Sequence, residues 1–496
     1  MMRKTAIFLL LASLNLTYSF ALPDASIDPR VQKTYDYFKG ELIWIKGGAW
    51  TPCAKALLEV LSHVEEEGLW QEDYAPLLQV LDKMNLSSPE VQKKADTLLT
   101  LAALNYISDM KGKRIDPQGA SKNIHVKQVS IDETELLKDY LSLPDHCGWI
   151  HGLAPQGREY QDLKKALALY RQKQTQGGWP QLPKGTKLEK GDSGALVETL
   201  RKQLVAQDIP GAHGGDHFDE GLEAALKEFQ ILHSQEPDGK VGAATLAALN
   251  TSVEDRLHSI IVSMERQRWY PDPMPSRYIQ VNIPGFYLKA VDGGKTAFFM
   301  PIITGKKYTK TPVFNAPMTE IIFNPSWHVP ASIIHEILPK IESNPEAYAR
   351  KGYVVTHDDS GTHIVQRPGS ANALGKIRFT IDSPFSIYLH GTSSQSLFKK
   401  ENRSLSHGCI RVENPVKLAQ FVFDDPSWTL ARIENKASGS QTDHVKLPHP
   451  LPVFVTYFTV FEDEHGKMNF VPDEYGQDEK VWVALEQAKR NTNKEN

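Results

Sequence analysis

The segment that decides how this chain is interpreted runs from Tyr388 to Pro415, "YLHGTSSQSLFKKENRSLSHGCIRVENP". It contains Cys409, one of three cysteines in the chain, directly after Gly408 and two residues after His407. The apolar residues before His390 predict a strand that ends at this histidine. A cysteine in a polar, glycine-containing turn with histidines nearby favours a reactive thiol over a core residue.

The chemistry expected of this segment is nucleophilic attack by sulfur. A cysteine attacks as its thiolate, and its ordinary pKa leaves most of it protonated at neutral pH. We therefore expect a nearby imidazole to hold the sulfur ionised, and the candidates are His390 and His407. The backbone N–H groups of Gly408 and Cys409 are candidates for stabilising an oxyanion. Two alternatives remain: an inert buried cysteine, or a zinc site of His390, His407 and Cys409.

The region around this segment is predicted to be rich in strands. From about 276 to 472, alternating and β-branched residues are bounded by turn signals. A helical pattern interrupts them, with Ile334, Ile337 and Ile341 on one face. A second helix is predicted after Cys409, beginning at Pro415. The expected fold of this region is a mostly antiparallel β domain with a helical cap insertion.

The preceding residues are predicted to be helical, because apolar residues recur there at intervals of three and four. A stretch rich in Gly and Pro at 175–194 indicates a boundary. The chain is thus predicted to be a multidomain α+β protein. The expected divisions are a signal peptide at 1–21, a helical scaffold domain at 28–175, a small helical module at 185–252, a β domain at 276–475 with its cap at about 331–372, and a C-terminal tail at 476–496.

The first residues of the chain are typical of an export signal. Arg3 and Lys4 precede an apolar run from residue 6 to 16, and small residues follow, which predicts cleavage after Ala21. The alternative is an uncleaved membrane anchor, although the run is short for a spanning helix. Export would take the chain to an oxidising compartment, where Cys53 and Cys147 could form a disulfide and leave Cys409 free. The other possibility is that both remain buried and reduced.

Composition excludes some classes of function. The 496 residues are 41% hydrophobic and 23% charged, which is typical of a folded protein with two to four domains. The net charge is −4, so there is no excess of basic residues for binding a nucleic acid. We therefore expect no nucleic-acid partner.

Part of the helical module resembles the small peptidoglycan-binding domain. "LEKGDSGALVETLRKQL" and "FDEGLEAALKEFQILHSQEPDGKVGAATLAALN" carry the similarity. The matching residues are Gly191, Gly194, Leu200, Phe229, Gln230, Asp238, Gly239, Gly242 and Thr245. The alternative is a plain helical packing module whose glycines only make turns.

The β region resembles the L,D-transpeptidases. The signature is a His, fifteen residues, and then Ser-His-Gly-Cys with an Arg two positions later. "TGKKYTKTPVFNAPMTEIIFNPSWHVPASI" and "RPGSANALGKIRF" are similar to the segments that precede the signature in that family. The resemblance covers roughly 270–475, and with the helical regions it implies the long, exported form of the family.

The resemblance also assigns roles by position. It implies that Cys409 is the nucleophile and His390 the general base and acid, with the Gly391 carbonyl orienting the ring and the Gly408 N–H binding the oxyanion. The groups implied to shape the site or to contact substrate are Ser406, His407, Arg411, Tyr388 and Trp327. For Arg411 a structural salt bridge is the alternative, and for the two aromatic residues it is core packing.

The reaction that the family implies is acyl transfer between peptidoglycan stem peptides. The thiol attacks a donor tetrapeptide, D-Ala leaves, and an amine of a second stem resolves the thioester into a 3→3 crosslink. No metal or organic cofactor is required, and carbapenems are expected to acylate the thiol. The expected location is the periplasm, and other cell-wall synthesis enzymes are possible partners.

Two other functions are considered for this sequence. An L,D-carboxypeptidase would hydrolyse the same acyl-enzyme. A non-catalytic cell-wall-binding protein would use the 185–252 module alone. The segment before "RPGSANALG" is shorter than in many long-form relatives, which predicts a small cap and weaker exclusion of water.

Overall fold

The computed structural model describes residues 28–143, 147–463 and 465–490, so the signal peptide expected at 1–21 lies outside the described residues. The α-helices in chain order are α1 (Pro29–Tyr37), α2 (Pro52–Leu61), α3 (Ala75–Asp82), α4 (Pro89–Met110), α5 (Pro117–Ala120), α6 (Glu133–Leu141), α7 (Trp149–Gly152), α8 (Arg158–Thr175), α9 (Ala195–Ala206), α10 (Glu220–Leu232), α11 (Ala243–Leu249), α12 (Val253–Gln267), α13 (Ala331–Ser343), α14 (Pro345–Arg350), α15 (Pro415–Phe423), α16 (Leu430–Ser438) and α17 (Asp478–Gln487).

The strands are β1 (Ile45–Lys46), β2 (Ala49–Trp50), β3 (Ile124–His125), β4 (Tyr278–Asn282), β5 (Tyr287–Asp292), β6 (Lys295–Gly305), β7 (Val313–Phe323), β8 (Trp327–His328), β9 (Tyr353–Asp358), β10 (Gly361–Gln366), β11 (Ile377–Ile381), β12 (Tyr388–His390), β13 (Ser404–Ser406), β14 (Ile410–Val412), β15 (Asp443–Thr456), β16 (Val460–Glu462) and β17 (Met468–Phe470). The predicted α+β class is confirmed, with helices before residue 267 and most strands after it.

The helical N-terminal region is organised around α4. The Ser88 hydroxyl accepts a hydrogen bond from the Val91 N–H, and Pro89 occupies the first turn, so the helix begins at a defined point. From Ala95 to Met110 most of its residues are buried against α1–α3 and α6–α8, in one large apolar cluster that includes Trp44. Burial on several sides explains why this helix has little polar surface in its second half.

The small helical module has its own core, built from residues such as Leu200, Leu226 and Phe229. Residues of the peptidoglycan-binding resemblance hold its turn together. The Gln230 side-chain amide donates to Asp238 at 2.8 Å and to Thr245 at 3.2 Å. The Gly239 N–H donates back to the Gln230 side-chain carbonyl at 2.9 Å. These contacts give the matching residues a structural role within the module.

The β domain is a closed sheet. Strands β11, β12, β14, β6, β5, β4, β15 and β7 follow one another, and β11 also pairs with β7. Most pairings are antiparallel, as predicted, but β12–β14, β13–β6, β4–β15 and β3–β7 are parallel. Leu288, Ile302, Phe379 and Val455 are among the residues that fill its core.

One strand of this sheet comes from the N-terminal region, which the sequence did not predict. Ile124 and His125 of β3 pair in parallel with Val313 and Phe314 of β7. The neighbouring Asn123 side chain donates to the Thr311 carbonyl at 3.1 Å. The segment predicted as part of a separate scaffold therefore contributes hydrogen bonds to the β domain.

The cap is a small layered unit with its own apolar cluster. Strands β8, β10 and β9 form a three-stranded sheet, and α13 and α14 connect β8 to β9. Val329, Ile333, Ile341 and Ile364 are its buried residues. The predicted helix at this place is confirmed, and the cap begins at Trp327, slightly before the expected boundary.

The C-terminal segment expected as a tail from residue 476 contains α17. Val481 and Leu485 of this helix are buried in the same cluster as the β domain core. Beyond it, Arg490 donates to both carboxylate oxygens of Asp109 on α4, at 2.8 and 2.5 Å. The segment is thus fixed to both regions. Among the described residues, no helix has the length and apolar character needed to cross a membrane.

The disulfide considered from the sequence is present: Cys53 on α2 is bonded to Cys147, 94 residues away. We expect the double variant Cys53→Ala/Cys147→Ala to lose about 2–4 kcal/mol of unfolding free energy, because the crosslink restricts the unfolded chain. Urea unfolding followed by tryptophan fluorescence measures this loss. Cys409→Ala, which leaves the disulfide intact, is the control, and equal unfolding midpoints for the two variants would contradict the prediction.

Candidate active site

The site is built on the parallel pairing of β12 with β14, in which Leu389 is opposite Ile410 and His390 is opposite Arg411. Leu389 and Ile410 are fully buried in the core of the β domain. Since side chains alternate along a strand, Tyr388, His390, Cys409 and Arg411 must point to the other face. Cys409 and His390 are then diagonal neighbours, at a separation that a histidine ring can span.

His390 is buried and held in one orientation. Its Nδ1 lies 2.6 Å from the Gly391 carbonyl oxygen, which can only accept, so Nδ1 carries the proton and Nε2 is the ring atom able to accept one. Burial lowers the pKa of His390 to about 3, with further lowering from the charge of Arg411. The ring is therefore neutral at physiological pH, as a general base must be.

Cys409 is the free cysteine of the described residues, and its side chain is partly exposed. The thiol donates to the Ser386 carbonyl at 3.9 Å. Burial raises the pKa of Cys409, while the Tyr388 N–H and hydroxyl donate toward the sulfur and oppose that effect. The expectation that the sulfur is held ionised is therefore wrong for this structure, because desolvation disfavours the thiolate. The resting pair is a neutral thiol and a neutral imidazole.

The loop before Cys409 is shaped by Ser406 and Gly408. The Ser406 hydroxyl donates to the Cys409 carbonyl at 2.6 Å and accepts from the Gly408 N–H at 3.0 Å. Gly408 has a φ of +119°, which strongly favours glycine. One prediction needs correction here. The Gly408 N–H is engaged by Ser406, so it is not directed at an oxyanion. Ser406 is buried inside the loop, where its two hydrogen bonds shape the turn before Cys409.

Two threonines that the sequence analysis missed support this loop. The Thr311 hydroxyl donates to the Gly408 carbonyl at 2.7 Å, and the Thr309 hydroxyl donates to the Ser406 carbonyl at 3.0 Å. Both lie in "TGKKYTKT", a segment that the resemblance had already singled out. The sequence shows that this segment contains hydroxyl side chains. It does not show which atoms they bind, because the partner residues are 97 positions away.

His407 contacts the cap. Its Nε2 lies 3.1 Å from both carboxylate oxygens of Glu336 on α13. This hydrogen bond lowers the pKa of Glu336, so the carboxylate remains charged. His407 is thus used as a link between the loop and the cap. Within the described residues, no group of three or more His, Cys, Asp and Glu side chains is arranged to hold a metal ion.

The remaining predicted residues fall into two groups. Tyr388 and Arg411 share the face of the sheet that carries Cys409, as the register requires. Trp327 belongs to the cap, where it is part of the apolar cluster and its ring lies 6.4 Å from that of Tyr353. For Trp327, core packing of the cap is the role that the structure shows.

The loop behind His390 depends on a close backbone approach. Gly375 has a φ of +65°, and a Cβ atom there would lie 2.7 Å from the Gly391 carbonyl carbon. Asn372, which is fully buried, donates to the Pro325 carbonyl at 3.0 Å and holds the same loop. Gly375 therefore fixes the position of the carbonyl that orients the His390 ring.

We expect Gly375→Ala to displace Gly391, break the bond from His390 Nδ1 and cost about 1–3 kcal/mol of unfolding free energy. Urea unfolding measures the stability, and histidine ring N–H signals in the NMR spectrum report the hydrogen bond. Gly369→Ala is the matched control, since a Cβ at that position in the same loop meets nothing within 4 Å. A retained ring N–H signal in Gly375→Ala would refute this positioning role.

Three family models match the chain. Residues 29–167 match a scaffold domain, residues 193–249 a domain described as "Putative peptidoglycan binding domain", and residues 276–427 the L,D-transpeptidase catalytic domain. The last of these contains β4 through α15, and therefore the whole β12–β14 pair with Cys409 and His390.

Individual proteins show more limited similarity. A Haemophilus influenzae protein named "Putative L,D-transpeptidase" is 29% identical over 240 residues, which cover 45% of this chain and 49% of that protein. The match thus spans about half the length of this relative. A solved L,D-transpeptidase from Mycobacterium smegmatis is 13% identical, with 36% and 58% of the two chains covered and a TM-score of 0.21.

A second solved structure, of an L,D-transpeptidase in complex with imipenem, is also 13% identical, covers 36% of this chain and 59% of that one, and has a TM-score of 0.21. Similarity at such TM-scores does not by itself establish a shared fold. The assignment comes instead from the catalytic-domain match and the positions of its signature residues. Residues 276–427 of this chain thus match the L,D-transpeptidase catalytic domain, and Cys409 and His390 lie within the match.

Proposed function

We propose that this chain is an exported peptidoglycan L,D-transpeptidase that forms 3→3 crosslinks through a thioester on Cys409. The observation that carries the proposal is the pairing of β12 with β14. It sets a free thiol diagonal to a neutral histidine whose Nδ1 is bound to the Gly391 carbonyl. This arrangement lies inside the matched catalytic domain.

The first half-reaction begins with a neutral pair. As the donor stem arrives, His390 Nε2 takes the thiol proton while sulfur attacks the carbonyl of the third residue of the tetrapeptide. The C–N bond to the terminal D-Ala then breaks, and the imidazolium returns its proton to the leaving nitrogen. The low pKa of His390 favours this return, because the protonated ring is disfavoured in its buried position.

The second half-reaction resolves the thioester. The side-chain amine of an acceptor stem attacks the acyl carbon and His390 accepts the amine proton. The C–S bond then breaks as the amide forms, and His390 returns that proton to the sulfur, which restores the neutral pair. Because the Gly408 N–H is bound to Ser406, the Cys409 N–H is the remaining main-chain donor of the motif for the oxyanion.

The cap can influence whether the thioester on Cys409 is transferred to an amine or hydrolysed. Water in the site would convert the thioester to a trimmed stem, so the acyl group must be shielded until the amine arrives. The contact between Glu336 of the cap and His407 brings a cap helix to the residue two positions before the nucleophile. We infer that this contact helps to close the site during the acyl-enzyme stage.

The substrate and location follow from the same proposal. The 193–249 module would hold the enzyme on peptidoglycan, and the signal expected at 1–21 would deliver it to the periplasm. The proposal includes the expectation from the resemblance that carbapenems acylate Cys409. The disulfide between Cys53 and Cys147 fits an oxidising compartment.

Incubation of the full chain with a tetrapeptide-containing disaccharide unit tests the activity. We expect 3→3 crosslinked dimers with release of D-Ala, no product from Cys409→Ala, and a rate lowered about 100- to 10,000-fold in His390→Asn. Mass spectrometry identifies the products and the acyl-enzyme. Trimmed stems without dimers would indicate a carboxypeptidase, and full activity of Cys409→Ala would refute the thiol mechanism.

The protonation state of Cys409 has its own test. We expect the rate of Cys409 alkylation by iodoacetamide to keep increasing at pH values above about 8.5, the ordinary pKa of a thiol. The reason is that burial raises the pKa of Cys409. Tyr388→Phe removes a hydroxyl that lowers this pKa, so its midpoint should lie higher than that of the wild type. Stopped reactions across pH, quantified by intact mass, give both midpoints. A wild-type midpoint below that of glutathione would show that the sulfur is held ionised.

A further inference from the structure

Two arginines flank the histidine of the site. Arg378 on β11 is directly opposite His390, and His390 is directly opposite Arg411 on β14. Side chains of directly paired residues point to the same face of a sheet, so the two guanidinium groups lie on either side of the imidazole. Arg378 is further positioned by the Tyr388 ring, whose centroid lies 4.3 Å from its guanidinium carbon. Arg378 was not among the residues predicted from the sequence.

Neither arginine has an acidic partner within residues 28–143, 147–463 and 465–490. The Nε atoms of Arg378 and Arg411 are both buried without a hydrogen-bond partner. Burial lowers the pKa of Arg411, and the Cys409 sulfur, where it is ionised, opposes this effect. The salt bridge considered for Arg411 from the sequence is therefore absent among these residues.

Three other buried arginines are paired with carboxylates: Arg114 with Asp109 at 3.0 Å, Arg268 with Glu265 at 3.1 Å, and Arg266 with Asp478 at 2.5 Å. A fourth, Arg256, has no carboxylate partner among the described residues and donates to the Ala248 carbonyl at 2.9 Å. An uncompensated charge that is partly buried is costly, and natural proteins usually pair it. Arg378 and Arg411 place two such charges on either side of one histidine and beside a free thiol, so an anionic ligand at this position would neutralise both.

We propose that Arg378 and Arg411 form a carboxylate-binding subsite beside Cys409, which receives the terminal carboxylate of the donor stem's leaving residue. This proposal rests on the proposed function. The carboxylate of a terminal amino acid is attached to the carbon next to the scissile nitrogen, so a peptide whose carbonyl reaches the sulfur brings that carboxylate close to the same groups. Guanidinium groups suit it because they bind carboxylates through paired hydrogen bonds.

The same two charges favour departure of the leaving residue. They disfavour the protonated form of His390, so the imidazolium formed during attack readily gives its proton to the leaving nitrogen. When the leaving residue departs, it takes the carboxylate with it, and the site regains two uncompensated cations. The subsite thereby distinguishes a stem that ends in a free carboxylate from one in which this group is blocked.

The first test does not depend on peptidoglycan chemistry. Cys409 is alkylated in the full chain with iodoacetate, which carries a carboxylate, and with the neutral iodoacetamide, while Cys53 and Cys147 remain in their disulfide. The ratio of the two rates removes effects common to both reagents, such as a change in the thiol pKa. We expect the ratio to exceed that of glutathione by about tenfold, the factor for one charge-assisted contact of modest strength.

Variants isolate the arginines in this test. Arg378→Gln should lower the iodoacetate-to-iodoacetamide ratio about fivefold or more, whereas Arg378→Lys, which keeps the charge, should retain part of it. Arg432→Gln is the control, an arginine that also stacks on an aromatic ring, Trp428, but lies on α16. A wild-type ratio equal to that of glutathione, or an unchanged ratio in Arg378→Gln, would overturn the subsite.

The second test identifies which carboxylate is bound. Wild type and Arg378→Gln are given three donors: the tetrapeptide, its C-terminal amide, and a tetrapeptide amidated on the side-chain carboxylate of the diamino acid. We expect the terminal amide alone to slow acylation of wild-type Cys409 about tenfold, and to have little effect in Arg378→Gln. If only the diamino-acid amide is slow, assignment to the leaving residue is wrong. If no donor acylates Cys409, the proposed function fails, while the alkylation ratio still decides whether the anion subsite exists.

Discussion

The parallel pairing of β12 with β14 is the constraint on which the site depends. It brings together two segments separated by a long loop, and it does so with a register fixed by the burial of Leu389 and Ile410. A slip of one residue would turn Cys409 into the core and Ile410 toward solvent, at a large cost in apolar burial. The apolar residues of the two strands thus determine where the reactive ones point. No direct bond between the thiol and the histidine is needed to maintain that geometry.

The scaffold region takes part in the same construction. Asn123 donates to the Thr311 carbonyl, and the Thr311 hydroxyl donates to the Gly408 carbonyl, so two hydrogen bonds link β3 to the loop of the nucleophile. His125 packs on Phe385 with ring centroids 4.5 Å apart, next to the Ser386 carbonyl that accepts from the thiol. The N-terminal region is therefore a supporting element of the site, which explains why a two-residue strand from it joins the β domain.

The sequence allowed much of this architecture to be predicted, because helices and strands leave local periodic patterns. The helical N-terminal half, the cap helix and the helix after Cys409 followed from spacing and from cap residues such as Asn414. Cys409 and His390 were identified from the signature, and the resemblance extended it to Gly391, whose carbonyl is bonded to His390 as implied.

What could not be predicted is non-local. The short β3 has no periodicity to detect, and its partner strand is far away in the sequence. The segment expected to be a tail contains α17. Its packing against the β domain was not predicted, because only two of its residues are buried and they leave too weak a pattern in the sequence. The hydrogen bond from the Gly408 N–H to Ser406 depends on the exact position of both residues in the folded loop. The protonated state of Cys409, where an ionised sulfur was expected, depends on burial. A sequence motif specifies which groups are present, and the folded environment specifies their hydrogen bonds and protonation.

The neutral resting pair also bears on how the site can be covered. A thiolate and an imidazolium enclosed together would carry a desolvation cost that their attraction does not reliably repay. A neutral thiol beside a neutral imidazole avoids that cost, so a cap can lie over the site before substrate is bound. The remaining charges on this face, Arg378 and Arg411, are then the groups that an anionic stem would neutralise on entry. In the proposed reaction, substrate binding therefore completes the electrostatics of the site, and ionisation of sulfur is deferred to the moment of attack.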